Sequence, residues 1–389
     1  MSTRNMKRMF HHAVALVGLL TMLPGVSWGQ SASPSTGDGP AVAPAPLRYA
    51  AVIEDARRLV RMDQRERGYP GIAIAVSVDG ETVWSEGFGY ADLEHRVPMW
   101  PSVKFRVGSV SKSMTAAAVA TLVEAGRLDL DVPIQRYVPS FPEKPQPITT
   151  RQLGGHLAGI RTYEGDENFI RDPYQSVVDA LDIFRDDPLL HPPGSAFSYT
   201  SYGFNLISAV VEGASGQPFL DYMADAVFRP LGMRETVADW VTPIVPGRAS
   251  YYVRNDAGQV VNAPFVNNSY KWAGGGFLST TEDVLRFANA HLRDDYLSKA
   301  SRKMLFTEQR TDAGEGVGYG FGWFTQQDDA GRRLLSHAGG SVGGTSLMIM
   351  QPETRVVVAG LINLTGANNE VVREVLRRFI DATSASTPH

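Results

Sequence analysis

Phe105-Arg106-Val107-Gly108-Ser109-Val110-Ser111-Lys112 carries the one Ser-x-x-Lys spacing in the chain and opens a long helical pattern. The pattern runs from Ser109 to Gly126, a natural glycine stop. Apolar residues occupy positions 110, 114, 117, 118, 122 and 125, while Ala116, Val119, Ala120 and Val123 fill the opposite side. A helix apolar all round is buried on all sides. Within it Lys112 and Glu124 are the only charges, and Glu124 stands at the end. Residues three apart share a helix face, so the Ser109 hydroxyl and the Lys112 amine can meet. Burial disfavours an ammonium and turns a lysine into a base, which is what a weakly nucleophilic serine needs. Ser109 also stands at the helix N-terminus, where its own N–H is free to stabilise an oxyanion. Ser111 and Ser113 compete as nucleophiles, but neither lies three residues before the lysine.

Outward from this helix, both ends of the chain read as strands. Ile72, Ile74, Val76 and Val78 alternate, Asp79-Gly80 is a two-residue hairpin signal, and Thr82, Trp84 and Phe88 begin the return strand. Near the other end, Tyr319–Phe324, Leu334–Ser336, Ser346–Met350 and Arg355–Leu364 read as sheet. Helices are expected over 48–67 and Asn368–Ile380. Residues 110–290 are expected to be mostly helical. The pattern predicts an α+β fold: an antiparallel sheet built from both ends of the chain, flanked by helices, with a mostly helical region inserted.

Two further pieces carry candidate chemistry. Tyr199 and Ser201 stand just before a helix marked by Leu206, Ile207, Val210 and Val211. His337-Ala338-Gly339-Gly340 follows an apolar strand, where glycines let a substrate lie against the strand edge. The N–H near Gly340 is a candidate partner for that of Ser109 in an oxyanion pair. Trp272-Ala273-Gly274-Gly275-Gly276 reads as close backbone packing, ahead of a helix capped by Thr280. His156 reads as structural.

Composition narrows the classes. The 389 residues are 43% hydrophobic and 20% charged, ordinary for a globular chain. With no cysteine there is no disulfide framework, thiolate metal site or cysteine nucleophile. A net charge of −4 leaves no electrostatic footprint for nucleic acid. No H-E-x-x-H and no clustered His/Asp set occurs, so no metal and no cofactor are expected. At the start, Arg4, Lys7 and Arg8 precede an apolar run from Ala13 to Leu23. Pro24 and Gly25 end that run, and small residues follow at Ser27, Gly29 and Ala32. This pattern predicts a cleavable signal peptide over 1–29, a disordered linker over 30–46, a mature folded domain over 47–383 and a tail over 384–389. The expected location is periplasmic or secreted, without a membrane anchor after cleavage.

Taken in order, these pieces resemble the serine β-lactamase/penicillin-binding-protein-like superfamily, in its AmpC-like and D-Ala-D-Ala carboxypeptidase group. Long strings (Phe105–Ala116, Leu128–Lys144, Ile148–Gly165 and Asn267–Thr280) resemble the LACTB-like branch. The resemblance implies roles by position. Ser109 would be the acylated nucleophile, Lys112 its activator and Tyr199 a general acid/base. His337 and Gly339 would form the third motif on the strand edging the site. The N–H groups of Ser109 and Gly340 would form the oxyanion hole. Two positions depart from the wider pattern. Ser201 replaces the second motif's Asn. His337 replaces the third motif's usual Lys, and an unperturbed imidazole is only roughly a quarter charged at neutral pH. The expectation is therefore a serine hydrolase acting on a small peptide, amide or ester, with peptide and amide bonds first. Carboxylesterase and β-lactamase activities are the alternatives on the same scaffold. A self-assembling protein, a homo-oligomer or filament with minor catalysis, is the alternative of another class.

Overall fold

β-Branched residues alternate with alanine in the first strand, and the two sets pack into different cores. The computed structural model describes residues 47–385. The expected signal peptide, the linker and residues 386–389 lie outside the described residues. Strand β1 (Gly71–Val78) turns through Asp79 and Gly80, both at positive φ, into β2 (Glu81–Asp92), and β3 (Val97–Pro98) pairs with the end of β2. Near the other end lie β9 (Phe324–Gln327), β10 (Arg333–Ser341), β11 (Gly344–Gln351) and β12 (Val356–Ile362). The sheet order is β3-β2-β1-β12-β11-β10-β9, so the two ends of the chain meet at the antiparallel pair β1–β12.

Ile72, Ile74, Val76 and Val78 face a core completed by α1 (Ala50–Glu66) and α9 (Glu370–Ala385). Trp84 stacks on Phe379 there. Ala73 and Ala75 face the other core, where the small side chains let helices approach closely. That second core is centred on α2 (Val110–Glu124), which is buried around nearly its whole circumference, as its apolar composition requires. Helix α9 runs through Ala385, two residues into the expected tail.

The inserted region is less helical than expected. It contains α3 (Thr150–Gly154), α4 (Tyr202–Ser215), α5 (Phe219–Met223), α6 (Trp272–Gly275) and α7 (Thr281–Ala290). Helix α8 (Lys299–Phe306) follows. Between these lie single helical turns, a small sheet of β4 (Phe105–Arg106), β5 (Val237–Ala238) and β8 (Phe277–Ser279), and the hairpin β6 (Tyr252–Arg254) with β7 (Val260–Asn262). Pro188, Pro192 and Pro193 interrupt one long stretch of it. Residues 319–323 also depart from the expected strand. Gly318 and Gly322 take positive φ, and the segment folds back so that Tyr319 bridges Phe324.

Candidate active site

Ser109 sits at the turn from β4 into α2. The preceding Gly108 has φ +50, and a Cβ there would lie 2.6 Å from the Gly340 carbonyl oxygen. Only glycine lets the turn before Ser109 press this closely on β10. Gly339 is equally constrained: an added Cβ would lie 2.0 Å from the Val107 oxygen and 3.0 Å from the Ser109 nitrogen. The space at Gly340 is open.

Strand β10 pairs with β9 only through Arg333–Ser336, so its edge from His337 to Ser341 carries no further strand. Ser341 and Gly344 close a two-residue hairpin. The closing pair exchanges hydrogen bonds, and the next pair, Gly340–Thr345, directs its polar groups outward. The Gly340 N–H therefore faces the free edge beside Ser109. Among the described residues the Ser109 N–H has no acceptor. These are the two expected oxyanion donors, placed side by side.

Lys112 has no exposed surface. Its Nζ lies 2.9 Å from Ser109 Oγ, 2.9 Å from Ser201 Oγ and 2.7 Å from the Gly274 carbonyl. None of the three acceptors is charged. Burial, and secondarily the charge of Lys271, hold the amine well below the usual lysine range. The competing serines are spent elsewhere. Ser113 donates to the Gly322 carbonyl at 2.7 Å, and Ser111 Oγ accepts the Phe277 N–H.

Tyr199 borders Ser109. The residue is 36% exposed, and its ring centre lies 5.0 Å from Lys112 Nζ. Burial of the hydroxyl raises its pKa, and the neighbouring Ser109 hydroxyl pulls it partly back. The segment is fixed from behind by His156, whose backbone stands at φ +60 and whose Nδ1 accepts the Thr200 N–H at 3.2 Å. His156 packs against Tyr199 and Tyr319 with ring centres 4.3 and 4.7 Å away.

His337 departs from its expected catalytic contact. It is fully buried, its Nδ1 donates to the Ala338 carbonyl at 2.7 Å, and its Nε2 accepts from the Tyr319 hydroxyl at 2.8 Å. Both ring nitrogens are engaged within the protein. Burial, then the nearby Lys112, push its pKa down to about 3, so the imidazole is neutral. Tyr319, which holds it, gave no sequence signal. Nor did the Gly274 carbonyl, because a main-chain acceptor has no residue signature. The glycine itself did: a Cβ at Gly274 would lie 2.9 Å from the Ser201 oxygen, so the run does mark close packing.

The Beta-lactamase family model matches residues 56–382. The chain belongs to this family. Its α+β sheet-and-helix architecture is that of the beta-lactamase and penicillin-binding-protein fold, and the family is one of serine hydrolases. "Serine beta-lactamase-like protein LACTB, mitochondrial" from Homo sapiens is 35% identical, over 83% of this chain and 76% of that one. The structure is similar to that of the octameric penicillin-binding protein homologue from Pyrococcus abyssi, with TM-score 0.75, 28% identity and coverage of 85% and 77%. It is also similar to D-amino acid amidase from Ochrobactrum anthropi SV3 complexed with L-phenylalanine amide, with TM-score 0.73, 25% identity and coverage of 85% and 99%. Among the described residues no group of three or more His, Asp or Glu side chains could hold a metal ion, and no helix is long and apolar enough to cross a membrane.

Proposed function

We propose that this member of the beta-lactamase family cleaves peptide or amide bonds through an acyl-Ser109 intermediate. The observation that carries the reading is the fully buried Lys112 amine, 2.9 Å from Ser109 Oγ with no carboxylate beside it. In this mechanism the free amine takes the Ser109 proton as Oγ attacks the substrate carbonyl. The Ser109 and Gly340 N–H groups hold the developing oxyanion. Tyr199, protonated and close to Ser109, passes a proton to the departing nitrogen. Water then releases the acyl group along the reverse path. Ser201 keeps Lys112 aimed at the nucleophile, and the Gly339–Gly340 edge of β10 receives the substrate backbone.

Amide substrates are placed first because a structural relative at 25% identity is named an amidase. Ester cleavage uses the same groups. β-Lactam hydrolysis is placed last, because His337 is neutral and closed off where a cation would hold the β-lactam carboxylate. A homo-oligomer remains part of the reading, since one structural relative is named octameric. Export rests on the residues before Ala32 alone, with cleavage between Ser27 and Ala32; the human relative is named mitochondrial. N-terminal sequencing of the purified protein tests cleavage, and an N-terminus at Met1 or Ser2 on exported protein contradicts it. A panel of peptide amides, D-Ala-D-Ala peptides, aryl esters and a chromogenic cephalosporin tests the substrate order. An amide or ester turned over far faster than the cephalosporin supports it. A cephalosporin kcat/KM at or above ~10⁶ M⁻¹s⁻¹ reverses it.

A further inference from the structure

A second lysine shares the interior of the site. Lys271 ends the helical turn Asn268–Lys271 and leads directly into α6, whose Gly274 carbonyl receives Lys112. It is 5% exposed, and among the described residues its ammonium has no hydrogen-bond or ion-pair partner. Instead it lies 5.5 Å from the Tyr163 ring centre and 5.1 Å from that of Tyr270. Tyr163 interacts through its hydroxyl with Ser201, and Ser201 Oγ is 2.9 Å from Lys112 Nζ. One tyrosine and one serine thus separate the two amines.

The carboxylate that faces this pair is already paired with two arginines, Arg106 and Arg248. Lys271 faces Arg106 on β4 and Asp239 just after β5; Asp239 Oδ2 accepts from Arg106 and from Asn268, each at 2.7 Å, and Oδ1 lies 3.7 Å from Arg248. Lys112 faces Lys271, His156 and His337, and both imidazoles are held neutral by burial. The hydroxyls of Tyr163 and Tyr199 stay protonated, because burial raises both. Two ammonium groups buried in one interior repel each other, which favours the loss of one proton.

We propose that Lys271 is a positioning residue for that proton: it carries the site's positive charge and so keeps Lys112 as the free amine. This rests on the reading of Ser109 as nucleophile and Lys112 as its base. Burial lowers both amines, Lys271 to about 7, and the charge of Lys271 lowers Lys112 in addition. The pair titrates as a coupled unit. His337 supplies no charge from β10, and Lys271 supplies it from a different element.

The test is kcat/KM for p-nitrophenyl acetate from about pH 5 to about pH 9 in wild type, Lys271→Met, Lys271→Arg and Ser109→Ala. Circular dichroism reports folding. Activity rises with pH as Lys112 loses its proton. Lys271→Met removes the neighbouring charge, so this acid limb moves up by about one pH unit or more. On the acid side of the limb activity then falls roughly tenfold, and it recovers at higher pH. Lys271→Arg keeps the charge and holds the limb at or below the wild-type position. A folded Lys271→Met variant with an unmoved limb, or with the same loss at every pH, overturns the proposal. If Lys271→Met does not fold, Lys271→Arg decides: a limb above the wild type overturns it, and one at or below supports it. Hydrolysis that survives in Ser109→Ala overturns the nucleophile assignment instead.

Discussion

The wall built by the start of α4 and by α6 gives Lys112 two of its three acceptors, Ser201 Oγ and the Gly274 carbonyl, and sets Lys271 behind them. The β10 wall offers no proton donor or acceptor side chain to Ser109. Its histidine is closed by Tyr319 and by the Ala338 carbonyl, and its rings pack with Tyr199 and Phe324. Only main chain from β10, at Gly339 and Gly340, reaches the reacting centre. In the proposed mechanism one wall moves a proton and the other shapes and holds an oxyanion. Burial acts on both: in one it lowers the pKa of a lysine, and in the other it neutralises a histidine.

The comparison breaks first at the proton-moving wall. Lys112→Ala is expected to lower kcat/KM by ~10²–10⁴-fold while the protein stays folded. Lys112→Arg is expected to be no better, since a guanidinium keeps its proton. Steady-state kinetics on an amide and an aryl ester check both, and near-wild-type activity in either variant contradicts the division of labour. Removing Ser201 is expected to do less. Ser201→Ala leaves Lys112 its bonds to Ser109 and Gly274 and is expected to cost roughly tenfold in kcat, the worth of one hydrogen bond.

The β10 wall is tested by changing its charge and the pH. His337→Lys places a cation where the imidazole is neutral, so the ratio of cephalosporin to ester kcat/KM is expected to rise roughly tenfold, with a lower Tm from burying the charge. An unchanged ratio in folded protein shows that this wall does not set substrate preference. For pH, His337 in the folded protein has its pKa lowered to about 3 by burial, against an ordinary value of 6.5. The unfolded chain therefore binds the proton first as pH falls. Stability is fully present above about pH 6.5 and is lost on acidification toward about pH 3, by about 2 kcal/mol at pH 5 for this residue. His156 and His291, also lowered by burial, act in the same direction. Tm measured from about pH 7 to pH 5 is expected to fall, and less steeply in His337→Gln. Equal slopes in the two proteins rule out a neutral buried His337. The smallest effect is expected from Tyr319→Phe, which removes one buried hydrogen bond and lowers stability by about 1–2 kcal/mol with little change in activity.

What could be read in the sequence follows from the physics of each part. The alternation of Ile72 to Val78 and the apolar surround of Lys112 are local, period-bound signals, and they place the sheet, α2 and the Ser109–Lys112 pair. Ser201 and the Gly339–Gly340 edge arrive where their motifs suggest, beside Lys112 and Ser109. The closure of His337 was not legible, because its partner Tyr319 reaches it through a glycine-rich fold-back that resembles a strand in sequence. The Gly274 carbonyl was hidden because any residue carries a carbonyl. Lys271 was hidden because nothing in Asn267–Trp272 signals that its lysine is buried; that depends on how Tyr163 and Tyr270 fold over it. The irregular stretches of the inserted region were overestimated as helix because their apolar residues serve loops packed on α2 and α4 rather than helical faces.

The central claim is that Ser109 is the nucleophile and a buried, uncharged Lys112 is its base. Reaction with a fluorophosphonate, followed by peptide mapping in a mass spectrometer, tests it in wild type and Lys112→Ala. The account predicts one adduct, on Ser109, formed ~10²–10⁴-fold more slowly in the variant at neutral pH. An adduct on Ser111, Ser113 or Ser201, or an unchanged rate in Lys112→Ala, would contradict it.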